Sequence, residues 1–212
     1  MNLDDSEELY GAVMQALTSA ERFSEAHELF KLMERGTFGL KPGLSCYNAL
    51  LLSHVKLREW TAVIDTFEKM KCEGVPPSSS TLQGLLIAAY RSGGRSKVIT
   101  TLKELLSSRA KMDRITFELV ANMLLPELGG STEEMRKKLR KFGEQRHWLR
   151  PASMHLARSI RIAEVEQQRP VPDNRERELS EKVADSWNLV MHHLIEYVDV
   201  SNQEPKQNSL QS

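Results

Sequence analysis

The sequence predicts an all-α fold: an α-solenoid of stacked antiparallel helix pairs with a C-terminal capping helix. Three observations predict it. A unit of 35 residues, Leu44 to Ser78, recurs as Ser79 to Asp113 and, in 37 residues, as Glu7 to Gly43. Within each unit, apolar residues recur at three- and four-residue steps in two blocks, so each unit reads as two amphipathic helices back to back. Hydrophobic residues make up 40% of the chain and aromatic residues only 6%, which suits helix pairs packed through Leu, Met and Ala. One helix pair alone cannot bury its apolar faces, so a fixed period of this length asks each unit to stack on the next.

The first pair is expected near residues 6–18 and 22–34. Tyr10 opens its first helix, and Ala26, Leu29, Phe30 and Met33 line its second. Its two extra residues fall in the 36–43 loop, where added length costs little. The second pair is expected near 45–57 and 59–73, with Tyr47, Leu50, Leu51, His54 and Val55 on one face and Val63, Ile64, Phe67 and Met70 on the other helix. Glu73-Gly74-Val75-Pro76-Pro77 ends it, because Gly takes the left-handed conformation past a helix end and Pro cannot continue a helix. The third pair is expected near 79–91 and 95–108, broken by Ser92-Gly93-Gly94. Leu82, Leu85, Leu86 and Leu105 stand where Tyr47, Leu50, Leu51 and Met70 stood. Ser45, Ser79 and Ser80 are candidate N-caps, whose hydroxyls would accept from free first-turn amides.

A fourth, looser pair opens with Arg114-Ile115-Thr116-Phe117 and continues through Val120, Met123 and Leu124 until Pro126 and Gly129-Gly130 stop it. Ser131 begins a capped helix, with Glu134 three residues on. That helix, near 135–142, carries Arg136, Lys137, Lys138, Arg140 and Lys141. A helix near 152–167 is expected to bury Met154, Leu156, Ile160, Ala163 and Val165. After the 169–172 break, Asp173 or Asn174 caps a long helix to about Val200, striped by Val183, Trp187, Val190, Met191, Leu194 and Val198. The expected organisation is a repeat solenoid over 7–152, a helical cap over 153–200 and a polar, disordered tail over 201–212.

The Tyr47-Asn48-x-Leu50-Leu51 opening, the Phe67-Glu68-x-Met70 close and the Gly74-Val75-x-Pro77 turn resemble the pentatricopeptide repeat. The period separates it from the tetratricopeptide repeat, whose period is 34. The resemblance covers about three repeats over residues 7–113, plus the degenerate fourth. The third departs from the pattern, with Leu82 for the usual Tyr and Met112 for the usual Pro.

The resemblance implies single-stranded RNA binding, with one nucleotide contacted per repeat, chiefly by two side chains. One follows the helix-opening aromatic; the other ends the repeat. Here the pairs are Gly11 with Gly43, Asn48 with Ser78, and Gln83 with Asp113. Asn48 with Ser78 resembles a pyrimidine-preferring pair, against the alternative that Asn48 bonds locally to backbone. Gly11 and Gly43 have no side chain to read with. Glu118, the fourth-repeat counterpart, would present an anion to the RNA strand.

Net charge is zero, yet residues 91–161 carry sixteen basic and seven acidic side chains. Lys56, Arg58, Arg91, Arg95 and the cluster Arg136, Lys137, Lys138, Arg140 and Lys141 are candidate phosphate contacts. The alternative is that these cations solvate outer helix faces.

No apolar run approaches 18 residues. Cys46 and Cys72 are isolated and read as free thiols. The histidines form no metal site. The His-x-Glu with Cys-x-x-Cys of a zinc deaminase is absent, as are a phosphate loop and a Gly-x-Ser-x-Gly nucleophile motif. The reading is therefore a non-enzyme without a cofactor or a membrane partner. The resemblance implies work in a mitochondrion or plastid, in RNA processing, stability or translation, alongside protein partners in an RNA-processing or ribosomal assembly. The N-terminal MNLDDSEEL is acidic, unlike an Arg-rich transit peptide, so the expectation is either a fragment of a longer chain or an exception to the family's habit. The alternative functions are a tetratricopeptide-like protein-interaction scaffold and, less favoured, an RNA enzyme lacking its catalytic part.

Overall fold

The left-handed backbone positions fix where each hairpin folds back. Glu21 and Arg58 have φ of 59° and 60°, and they are 37 residues apart, at the same place in the first and second repeats. Each ends a first helix with its follower's amide turned back: Arg22 N–H donates to Leu17 O at 2.9 Å and Glu59 N–H to His54 O at 2.9 Å. The third repeat breaks instead at Gly94, whose φ of 62° and ψ of −156° form a kink that glycine adopts at no steric cost. Second helices end on Gly36 and Gly74, with φ of 70° and 75°. There Thr37 N–H returns to Leu32 O and Val75 N–H to Met70 O, the bonds of a Schellman stop.

These stops give the element order in a computed structural model that describes residues 3–37, 39–108, 110–145, 150–168 and 176–202. The first pair is α1 (Leu3–Ser19) and α2 (Phe23–Glu34), and the second is α3 (Leu44–Leu57) and α4 (Trp60–Cys72). The third is α5 (Ser79–Ser107), broken at Gly94 as the sequence expects. Then come α6 (Arg114–Leu124), a 3-10 turn at Pro126–Leu128, α7 (Thr132–Gln145), α8 (Arg150–Gln167) and α9 (Glu176–Ser201). The fold is all-α, with no strand among the described residues.

The chain divides into two units, residues 1–101 and 102–212. In the first, α1 packs along α3, and α2 and α4 both pack on α3. Met14, Phe30, Met33, Cys46, Tyr47, Leu50 and Met70 form one core across the first two repeats, with the Phe30 and Tyr47 rings edge-on at 5.1 Å. Burial first, then the nearby Glu73 and Glu34 carboxylates, pushes the Tyr47 phenol up to about 12. The third repeat joins the second through Ala88, which packs with Leu51 and Val63.

In the second unit α8 packs on α7 and α9, and α9 packs on α6. Trp187 lies fully buried beside Phe117, ring centroids 5.6 Å apart, and Val190, Met191, Leu194 and Val198 continue its stripe. On α8, Leu156, Ile160 and Ala163 are buried as expected, but Met154 and Val165 are about half exposed. They lie on the flank of the helix, beyond what α7 and α9 cover. The Ser131 start is as expected, with Glu134 Oε2 accepting from Ser131 N–H at 3.0 Å. The Asp173 and Asn174 caps, and the tail from residue 203, lie outside the described residues. No described helix is long and apolar enough to cross a membrane.

Candidate nucleic-acid interface

The first helices of three successive repeats share a face. Gln15 of α1, Ser45, Asn48, Leu52 and Val55 of α3, and Ser80, Gln83, Gly84 and Ile87 of α5 line a groove of about 390 Å³. Asn48 and Gln83 stand one period apart; four residues on come Leu52 and Ile87, and four further Lys56 and Arg91. Four-residue steps keep all of them on one side of their helices. Repeats two and three thus carry the same ladder of amide, aliphatic and cation. Repeat one has Gly11, Gln15 and Ser19 in those places.

Asn48 and Ser78, 30 residues apart, meet. Asn48 Nδ2 donates to Ser78 Oγ at 3.1 Å, and the Thr81 hydroxyl donates to Asn48 Oδ1 at 2.6 Å. Ser78 is also the cap of α5: its amide donates to Thr81 Oγ1 at 3.0 Å, and Thr81 N–H returns to Ser78 Oγ at 3.4 Å. The capping serine is therefore Ser78, not Ser79 or Ser80, which fall in the helix itself. Likewise Gly43, not Ser45, precedes α3. Asp113 caps α6 through a 2.7 Å bond from Thr116 N–H. The residue that closes a repeat is thus the N-cap of the next. An amide has two donors and two acceptor lone pairs, so these contacts occupy half of the capacity of Asn48 while fixing its plane.

Thr81 was not among the sequence-level candidates. The S-x-x-T spacing at a helix start is the signal that points to it. The aliphatic floor of Leu52 and Ile87 was also missed, since apolar residues on a helix read first as core. Leu52 is 42% exposed.

Gly11 has a packing role. A β-carbon on it would come within 2.4 Å of Ser45 Cβ, so glycine there lets α1 lie close against α3. Glu118 faces its own Arg114 at 3.9 Å.

Lys56, Arg58, Arg91 and Arg95 are exposed. The 136–141 cluster does not act as one patch. Arg136 turns to Glu164 at 3.4 Å, Lys137 bonds Glu133 at 2.9 Å, and Lys138 donates to the Gly129 carbonyl. Arg140 and Lys141 remain exposed. The cause is local: α7 carries its own acids one turn away and lies on α8.

Four of the described histidines lie in two pairs. His27 stacks obliquely on His54 at 4.7 Å and contacts Ser53 Oγ at 2.6 Å. His155 lies 5.9 Å from His193, which meets Ser159 Oγ at 2.5 Å. No group of three or more His, Cys, Asp or Glu that could hold a metal occurs among the described residues.

A family model described as the pentacotripeptide-repeat region of PRORP matches residues 1–124. The chain belongs to this repeat family. No curated protein matches it. The match takes in the three pentatricopeptide repeats and reaches through α6, which places Asn48, Ser78, Gln83 and Asp113 inside a helical repeat scaffold of a generally RNA-binding kind.

Proposed function

We propose that this pentatricopeptide-repeat chain binds single-stranded RNA along the groove of its first helices, without a reaction of its own. The observation that carries the reading is the Asn48–Ser78 contact at 3.1 Å at a groove that Gln83 also lines. Asn48 offers a base edge one N–H and one lone pair in a plane already set. Leu52 and Ile87 give the base an apolar surface, and Lys56 and Arg91 lie two turns along for the phosphates. Arg140, Lys141 and Asp113 are further candidates in the second unit. Two or three such repeats read only a short stretch, so affinity rests heavily on phosphate contacts. By its family the chain works in organellar RNA processing, stability or translation, by masking or recruiting.

The test is binding of a pooled single-stranded RNA across a salt series. Affinity should fall steeply with salt, and Lys56→Ala with Arg91→Ala should flatten that slope. The aliphatic floor, exposed at Leu52 and half-buried at Ile87, supports a second reading, a peptide-binding scaffold. RNA silence at all salts, with peptide capture in the same groove, would decide for it.

A further inference from the structure

Ser78 and Thr81 stand three residues apart, the spacing at which a helix cap and a first-turn side chain reach each other's amides. Thr81 is 1% exposed, so its hydroxyl must find its partners within the chain. Its one proton goes to Asn48 Oδ1 at 2.6 Å. Its two lone pairs take the Ser78 N–H at 3.0 Å and, because its own proton is committed, the Ser78 hydroxyl at 3.0 Å. Ser78 Oγ accepts in turn from Asn48 Nδ2 at 3.1 Å. Asn48, Ser78 and Thr81 thus close a ring in which each side chain donates to the next. The distances fix its sense. A separation of 2.6 Å suits a hydroxyl on a carbonyl, and 3.1 Å an amide on a hydroxyl. Run the other way, with the amide reversed, the ring would hold an N–H donor at the short distance and an O–H donor at the long one, against the preference of each. At the preceding junction Gly11, Gly43 and Cys46 hold the places of Asn48, Ser78 and Thr81, and the ring cannot form.

We propose that Thr81 is a positioning residue for base selection: it fixes which side of the Asn48 amide donates and which accepts, and so sets which pyrimidine repeat two takes. The proposal rests on RNA binding along the groove of the first helices, which Asn48 lines. Uracil and cytosine present opposite orders of donor and acceptor along their pairing edges. An amide held in one order separates them; an amide free to reverse does not. Without the Thr81 hydroxyl, Ser78 alone serves the amide in either order, accepting from Nδ2 or donating to Oδ1. Thr81 is buried and acts through Asn48.

Fluorescence anisotropy of the full chain with short poly-uridine and poly-cytidine strands reads it. Wild type should favour one over the other by about tenfold, the order of discrimination that one edge contact carries. Thr81→Val, which keeps the volume and drops the hydroxyl, should bring that ratio close to one, and Thr81→Ser should restore it. In an Asn48→Ala background Thr81→Val should change the ratio no further, whereas a purely structural role would weaken both backgrounds alike. Urea midpoints check that each variant folds. NMR of the free wild-type chain needs no variant: the Thr81 hydroxyl proton should exchange slowly with water. A ratio unchanged in Thr81→Val, a ratio lost in Thr81→Ser, or a fast-exchanging Thr81 hydroxyl would each overturn the proposal and leave RNA binding standing, as would equal binding of both strands by wild type. Binding of neither strand by wild type would overturn the RNA reading and this proposal together.

Discussion

The Asn48 side chain donates to the Ser78 hydroxyl at 3.1 Å while accepting from the Thr81 hydroxyl at 2.6 Å. One residue of α3 thereby holds the cap of the next repeat. A side chain that the family resemblance assigns to base reading is also a stitch between repeats. Asn48→Ala should therefore lower stability by about 1 kcal/mol, the worth of a half-buried hydrogen bond, because Ser78 and Thr81 keep each other. Asn48→Asp keeps the acceptor for Thr81 and loses the donor. It should change base preference by about 1–3 kcal/mol, the usual worth of an edge contact. Urea melts and binding to homopolymeric RNAs separate the two effects.

Gly11→Ala should destabilise the first unit even though alanine favours helix over glycine by about 1 kcal/mol. The new β-carbon would lie 2.4 Å from Ser45 Cβ, and overpacking of that kind costs about 1–3 kcal/mol. Ser45→Gly should rescue it. A double-mutant cycle in thermal unfolding measures the coupling; additive effects would show that α1 and α3 do not touch there.

Much of this architecture was legible in the sequence, and the exceptions share a cause. Hairpins, period and core came through because Tyr47, Leu50, Phe67 and Met70 recur at helical spacing, and spacing is local information. Met154 and Val165 continued the apolar stripe of α8 but lie exposed, since burial depends on which neighbour covers the helix and where it stops. The role of Gly11 depends on the approach of a residue from another helix. Arg136 and Lys138 read as surface charge, yet Glu164 and the Gly129 carbonyl take them. The pairing of Asn48 with Ser78 was legible because the repeat alignment supplies long-range contacts that no single helix encodes.

Salt dependence should distinguish the cations. For a single strand, log affinity falls with log salt by about 0.7 per phosphate neutralised. Lys56→Ala with Arg91→Ala should reduce the slope by about 1.4, two such contacts. Lys137→Ala, whose amine already bonds Glu133 at 2.9 Å, should leave it unchanged. Fluorescence anisotropy over a salt titration measures both, and equal slopes in wild type and double variant would place the strand elsewhere.

Acid should loosen both units through histidines that the fold keeps neutral. Burial first, then the His54 ring and Lys31, holds His27 below its usual 6.5, with Glu59 pulling the other way. Burial likewise leads for His193, aided by His155 and His192 and opposed by Glu196. A depressed histidine takes its proton at higher pH in the unfolded chain than in the folded one. The unfolded state thus binds more protons across that window, and stability rises with pH through it. The contribution is fully present above 6.5 and is lost as pH falls through the folded values. Tm should be level at neutral and mildly alkaline pH and fall below about 6.5. His27→Gln should flatten the fall of the transition that belongs to the first unit, and His193→Gln that of the second. Calorimetry across pH measures this, and a Tm rising with acid would reverse the assigned sign.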